Sequence, residues 1–278
     1  EVEFLDAYGV MMGEEGRGIP TIIEMAGYTR LNCVIGSAAM IRQATVQALA
    51  YTRQRMAFGK RLSDQPLMQT VLSDLALESE AALVLMMRLA QAFEADEDDA
   101  RERVWKRVIT PAAKFWVCKR AVELTGETME VFGGNGYVDD GPMARLFREA
   151  PVNSIWEGSG NVMCLDVLRA FAREPEALFG LLDELQRDLS NDALAQPVLQ
   201  HLRRALRDTP QALEAQARYL TQNLVLLAQA ALLRRYAPAF VADAFIGTRF
   251  SGQWGAVVGA MNASAISVRD LLERIYPS

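Results

Sequence analysis

From Ile19 onward the apolar residues of this 278-residue chain recur in helical steps almost throughout, and that rhythm limits its fold more than any other feature. Leu31 to Arg55 carry one long helical pattern. Met68, Val71, Leu72, Leu75, Ala82, Leu83, Met86, Leu89 and Phe93 follow steps of three and four and mark one apolar face of a second helix. A third should run from about Arg101 to Phe132, with Pro111 as a kink or break, until Gly133-Gly134-Asn135-Gly136 stops it. A shorter helix around Met143 to Glu149 and another after Ser159 follow. Long helices joined by short turns predict an all-α chain built as an antiparallel bundle.

The opening, Glu1 to Gly18, is different: a short β-prone run, Val2 to Leu5, precedes Gly9, Gly13, Gly16 and Gly18. It reads as the tail of a preceding β domain, and the chain is expected to be a fragment. An acidic loop, Glu94 to Asp99, connects two helices as a solvated link. A boundary falls near Arg173-Glu174-Pro175, which divides a bundle over 19–172 from a second helical extension over 173–278. Helices are predicted there at about 176–190, 196–207, 210–236 and 252–275, with breaks near Asp192, Asp208-Thr209-Pro210 and Pro238.

Composition excludes several chemistries. Cys33, Cys118 and Cys164 are widely spaced, odd in number and set among apolar neighbours, which argues for reduced, buried thiols in a cytoplasmic protein. His201 is the only histidine, so His-based metal sites and Ser-His-Asp triads are excluded, and no metal is expected. No apolar run reaches membrane-spanning length. The net charge of −6 offers nucleic acid no global attraction.

Three constellations carry candidate chemistry. Asn153 to Cys164 place the carboxylate of Glu157 after Trp156 and before Gly158-Ser159-Gly160, with Ser159 as a candidate N-cap. Glu157 either faces a pocket or is an ordinary first-turn acid favoured by the helix dipole. Arg53, Arg55 and Lys60 flank Phe58 and Gly59 where a long helix ends. Such a group holds a pyrophosphate while the phenyl ring packs on a flat one, or it is a solvated basic helix end. Glu130 to Tyr137 hold the third, a glycine run that follows a helix and lacks the dinucleotide-fold spacing. It is either a helix C-cap or a point of close backbone approach to a ligand.

Taken together, Arg55-x-x-Phe58-Gly59-Lys60, Phe132-Gly133-Gly134-Asn135-Gly136 and Trp156-Glu157-Gly158-Ser159 resemble, in order and spacing, the acyl-CoA dehydrogenase family. The resemblance covers Glu1 to about Ala172, and Gly13-Glu14-Glu15-Gly16-Arg17-Gly18 looks like the family's exit from its β domain. The wording from Glu149 to Asn161, and the extension after Arg173, look like the AidB branch of that family, flavoproteins of the bacterial alkylation response. The chain departs from the family pattern at Trp156, usually a tyrosine, at Pro66, where a polar residue is common, and at Gly27, which lacks an acid.

The resemblance implies the C-terminal helical part of an FAD-dependent oxidoreductase acting on the CH–CH bond of an acyl-CoA. Glu157 would be the base that takes the α-proton, a role suited to a partly desolvated carboxylate. Arg55 would contact the FAD pyrophosphate, with Phe58, Leu62 and Gln65 near the dinucleotide; Glu130 and Gly134 match a second contact segment, and Ser159 and Asn161 a third. Arg30 and Trp156 match substrate-side positions. These contacts would cross a subunit interface in a homo-oligomer, a tetramer by family resemblance. The alternative is an AidB-type flavoprotein with a nucleic-acid role and weak or no acyl-CoA turnover. Residues 171–278 hold 11 Arg, no Lys and 11 Asp or Glu, yet Arg203, Arg204 and Arg207 cluster as a candidate weak DNA contact. Against this, Leu178, Leu182, Leu185 and Leu189, then Leu220, Leu224, Leu227 and Leu233, form apolar stripes suited to the bundle or another subunit. The extension is therefore expected mainly to build an oligomer interface.

Overall fold

A computed structural model describes residues 2–96 and 98–277; Glu1 of the opening segment, Glu97 of the acidic loop and Ser278 lie outside the described residues. α1 (Gly18–Gln54) has 37 residues and so spans about 55 Å. A hairpin of β1 (Met56–Ala57) and β2 (Lys60–Arg61) leads through one 3₁₀ turn into α2 (Pro66–Glu94). Pro66 sits in the first turn of α2, where its missing N–H costs nothing. Next come α3 (Ala100–Val104), α4 (Thr110–Val131), the single turn α5 (Gly134–Tyr137), α6 (Pro142–Ile155) and α7 (Gly160–Arg173). Glu78 and Arg88 on α2 meet Arg120 on α4 and Glu102 on α3, the helix that leads into α4, whereas Cys33 and Tyr51 on α1 meet Cys118 and Phe132. So α2 runs antiparallel to α4 and α1 runs parallel to it. The fold is an all-α bundle, as its helical rhythm predicts.

The third long helix carries the kink expected of it: a π-helical turn over 105–109 joins α3 to α4 just ahead of Pro111. Pro111 has no N–H for the carbonyl of Arg107, and the wider turn before it absorbs that gap. The predicted helix over 252–275 is instead an irregular stretch and the short α12 (Val268–Ile275), and α11 (Ala239–Arg249) stands before it, where no helix is predicted. Gly252 and Gly259 in that stretch take positive φ, which ends a right-handed helix. Ser159 stands at the N-cap of α7, but its side chain makes no capping hydrogen bond. The β-prone opening forms no strand, and Phe4 and Leu5 are exposed.

α8 (Pro175–Asp188), α9 (Gln196–Ala205) and α10 (Pro210–Tyr236) begin the extension. α10 packs against α2, α4 and α7 as well as α8 and α9, and α12 lies on α2. All eight leucines of the two predicted stripes are buried within this one chain, in a core continuous from Leu31 to Ile275. Cys33, Cys118 and Cys164 are buried free thiols. No helix among the described residues is long and apolar enough to cross a membrane.

Candidate functional site

At one end of the bundle, the C-terminus of α1 and the C-terminus of α4 enclose an open groove of about 790 Å³. Arg55 closes α1, and the 56–61 hairpin turns on Phe58 and Gly59, whose φ values of 50° and 83° are those of a two-residue primed turn. A bulky residue at positive φ is disfavoured, and Phe58 is 95% exposed besides. Gln65 donates to the Ala57 carbonyl at 3.2 Å and ties the hairpin to the start of α2. Across the groove, α4 ends at Phe132, which stacks on Tyr51 of α1 with ring centroids 4.3 Å apart. The chain then folds back so tightly that a Cβ on Gly136 would lie 2.1 Å from the Met129 carbonyl oxygen. Gly134 faces open space instead. The acids Glu127 and Glu130 complete that wall; burial, then the charge of Glu130, pushes the Glu127 carboxyl up.

Far from this groove lies the turn that carries Glu157. Glu157 has φ 57° and Gly158 φ 109°, so the chain leaves α6 through a left-handed corner before α7 begins. Arg30 of α1 donates through Nε to the Glu157 carbonyl at 3.1 Å and through Nη1 to Asp166 at 2.8 Å. Asp166 on α7 also takes two hydrogen bonds from Arg107. Burial works to raise the Asp166 carboxyl, but Arg107 and Arg30 outweigh it and hold the group below the usual range. Lys114 of α4, 1% exposed, donates from Nζ to the Gly158 carbonyl at 2.7 Å. Burial lowers its affinity for a proton below the ordinary lysine value, and the neighbouring thiols of Cys118 and Cys33 oppose that. Trp156 donates to Asn153, which donates in turn to Ser37.

The structure thus gathers Arg55, Phe58, Leu62, Gln65, Glu130 and Gly134 around one groove, although more than sixty residues separate the two segments. It does not bring Ser159 and Asn161 there; both are exposed at the start of α7. Glu157 is exposed beside them. Arg30, about a third of the way along α1, and Arg55, at its C-terminal end, lie 25 residues or about 38 Å apart, so the Glu157 turn and the groove are well separated along that helix. Arg30 is engaged with the protein itself and buttresses the turn. Of the extension's arginines, Arg203 pairs with Asp183 and Gln186, while Arg204 and Arg207 are exposed, Arg207 just beyond the end of α9. Sequence reasoning missed Lys114, Asp166 and Tyr51. A lysine inside the apolar run Pro111 to Cys118 was a usable signal; Asp166 and Tyr51 gave none.

A family model for the C-terminal domain of acyl-CoA dehydrogenase matches residues 16–172, more than half of the chain. The chain belongs to the acyl-CoA dehydrogenase family. Among curated members, the putative acyl-CoA dehydrogenase AidB of Escherichia coli (strain K12) is 44% identical over 246 residues, 88% of this chain and 44% of that protein. The crystal structure of ACDH-11 from Caenorhabditis elegans in complex with C11-CoA superposes with a TM-score of 0.75 at 26% identity, over 84% of this chain and 43% of that one. An acyl-CoA dehydrogenase from Bacillus anthracis complexed with FAD shares the fold at a TM-score of 0.66 and 18% identity, over 84% of this chain and 48% of that one. The chain therefore spans under half the length of these acyl-CoA dehydrogenase family proteins.

Proposed function

We propose that the chain forms the C-terminal part of an FAD-dependent acyl-CoA dehydrogenase in which Glu157 is the base for α,β-dehydrogenation. The observation that carries this reading is the groove, where Arg55, Phe58, Leu62, Gln65, Glu130 and Gly134 converge. Its residues fit a dinucleotide. The Arg55 guanidinium suits a pyrophosphate, the exposed Phe58 ring suits a flat heterocycle, and the Glu130 carboxylate accepts from ribose hydroxyls. At Gly134 the missing side chain leaves the backbone open to close approach. FAD held there would supply the acceptor for the β-hydride of the acyl thioester. Glu157 would take the α-proton and Trp156 would bound the acyl chain on the substrate side, while Ser159 and Asn161, at the start of α7, would reach only a cofactor held by the groove of a second copy. The C. elegans relative bound to C11-CoA supports an acyl-CoA as substrate.

About 38 Å of α1 separates Arg55 from the Glu157 turn, too far for both to serve one reacting centre within a single chain. A second copy supplying the groove removes the conflict, so the working protein is a homo-oligomer, a tetramer by family resemblance, in the cytoplasm. A second reading, an alkylation-response flavoprotein with weak DNA binding through Arg203, Arg204 and Arg207, rests on the AidB resemblance; the pairing of Arg203 with Asp183 weighs against it. Anaerobic titration of full-length protein with short branched acyl-CoAs separates the two. Native protein should lose its flavin colour as the cofactor is reduced, and Glu157→Gln should do so at least about 10²-fold more slowly while keeping its FAD. A Gln variant that bleaches at the native rate removes Glu157 as base. Native protein that stays yellow points to the second reading.

A further inference from the structure

Two cations from different helices converge on one corner of backbone. Arg30 Nε donates to the carbonyl of Glu157, and Lys114 Nζ donates to the carbonyl of Gly158, the next residue. Both carbonyls belong to a left-handed corner, with φ 57° and 109°, that has little local preference for its shape. Lys114 is buried among apolar neighbours on α4, between Trp105 and Cys118 in the chain, where an ammonium is costly unless it is hydrogen-bonded. A bundle core would pack as well around a methionine there. Arg30 is partly exposed and shared with Asp166, so the firmer of the two clamps is the buried one.

We propose that Lys114 is a positioning residue for the proton-transfer step: its buried ammonium fixes the Glu157–Gly158 corner through the Gly158 carbonyl and thereby aims the Glu157 side chain. Lys114 itself transfers no proton and touches no substrate. The backbone direction at Glu157 sets where its carboxylate points, because the Cα–Cβ bond follows φ and ψ. The clamp on Gly158 holds that direction from behind, on the side away from the exposed face of the turn. This role rests on the reading of Glu157 as base, but the corner's conformation can be read without any turnover.

The test uses full-length protein labelled with 5-fluorotryptophan, with the Trp156 signal in the ¹⁹F spectrum assigned by its loss in Trp156→Phe. Lys114→Met, which keeps the volume and removes the donor, should shift or broaden the Trp156 signal. It should also lower kcat by about 10²-fold with KM within about twofold, the size expected when a reacting group is displaced by about 1 Å. Lys114→Gln, whose amide falls about one bond short, should do the same to a smaller extent, about tenfold in kcat, and serves alone if the Met variant does not fold. An unmoved Trp156 signal in the folded variants overturns the proposal whether or not kcat falls, since any loss would then not pass through the corner. A displaced signal with native kcat overturns it as well. If native protein turns over no acyl-CoA, the functional reading fails, and the ¹⁹F signal alone decides whether Lys114 holds the corner.

Discussion

Gly158 concentrates the demands made on single residues. Its φ of 109° lies where L side chains rarely go, and a Cβ there would come within 2.5 Å of the Met163 methyl. The methyl ends a flexible side chain and can swing away, so the backbone sets the cost. Gly158→Ala should destabilise the chain by about 1–3 kcal/mol, read as a shift in the urea midpoint. A change below about 0.5 kcal/mol would mean that the corner is not held in this shape. Residue types around Glu157 announce such a turn, because Gly158, Ser159 and Gly160 follow an aromatic residue. The cations behind it stay hidden. A lysine at position 114 and an arginine at position 30 become neighbours of the turn only through the packing of α1 and α4, 44 and 127 residues away in the chain.

Among the elements, α2 joins the extension to the bundle through charge as well as apolar packing. Arg249 of α11, fully buried, pairs with Asp74 and with Glu78 at 2.8 Å, and the Gly259 N–H donates to Asp74 at 2.8 Å. Arg120 of α4 takes the other oxygen of Glu78 at 3.0 Å. Burial works to raise the Glu78 carboxyl, but Arg120 and Arg249 outweigh it and leave it below its ordinary value of 4.5. A depressed carboxyl stabilises the fold fully above pH 4.5 and loses that contribution as pH falls through the lower folded value. Arg249→Met leaves two buried carboxylates short of a partner and should cost about 3–5 kcal/mol at neutral pH by urea denaturation. In that variant the acid side of the stability curve should flatten. A loss below about 1 kcal/mol would place the pair among exposed, weakly coupled ones. The break at Asp208-Thr209-Pro210 made the start of α10 legible. The joint between α2 and α11 was not legible, since 175 residues separate Asp74 from Arg249.

At the scale of the whole molecule, one long helix decides what a single copy can do. α1 carries the Arg30 clamp about a third of the way along and delivers Arg55 to the groove at its C-terminal end, about 38 Å away. On the proposed reading each of these regions would complete a site with a second copy; the leucine stripes of the extension are buried in its own bundle. Any contact between copies would have to use surfaces other than those stripes. The all-α architecture was readable from helical periodicity alone; the distance between the two sites needed the unbroken course of α1. The central claim is that the groove holds FAD, and the most direct measurement is the released flavin per chain of purified full-length protein beside its Arg55→Ala variant. The native protein should carry close to one FAD per chain, and the variant should bind it more weakly by about 1.5–3 kcal/mol, the range for a hydrogen bond to a charged group. Equal flavin content and equal affinity in the two would contradict the assignment of the groove.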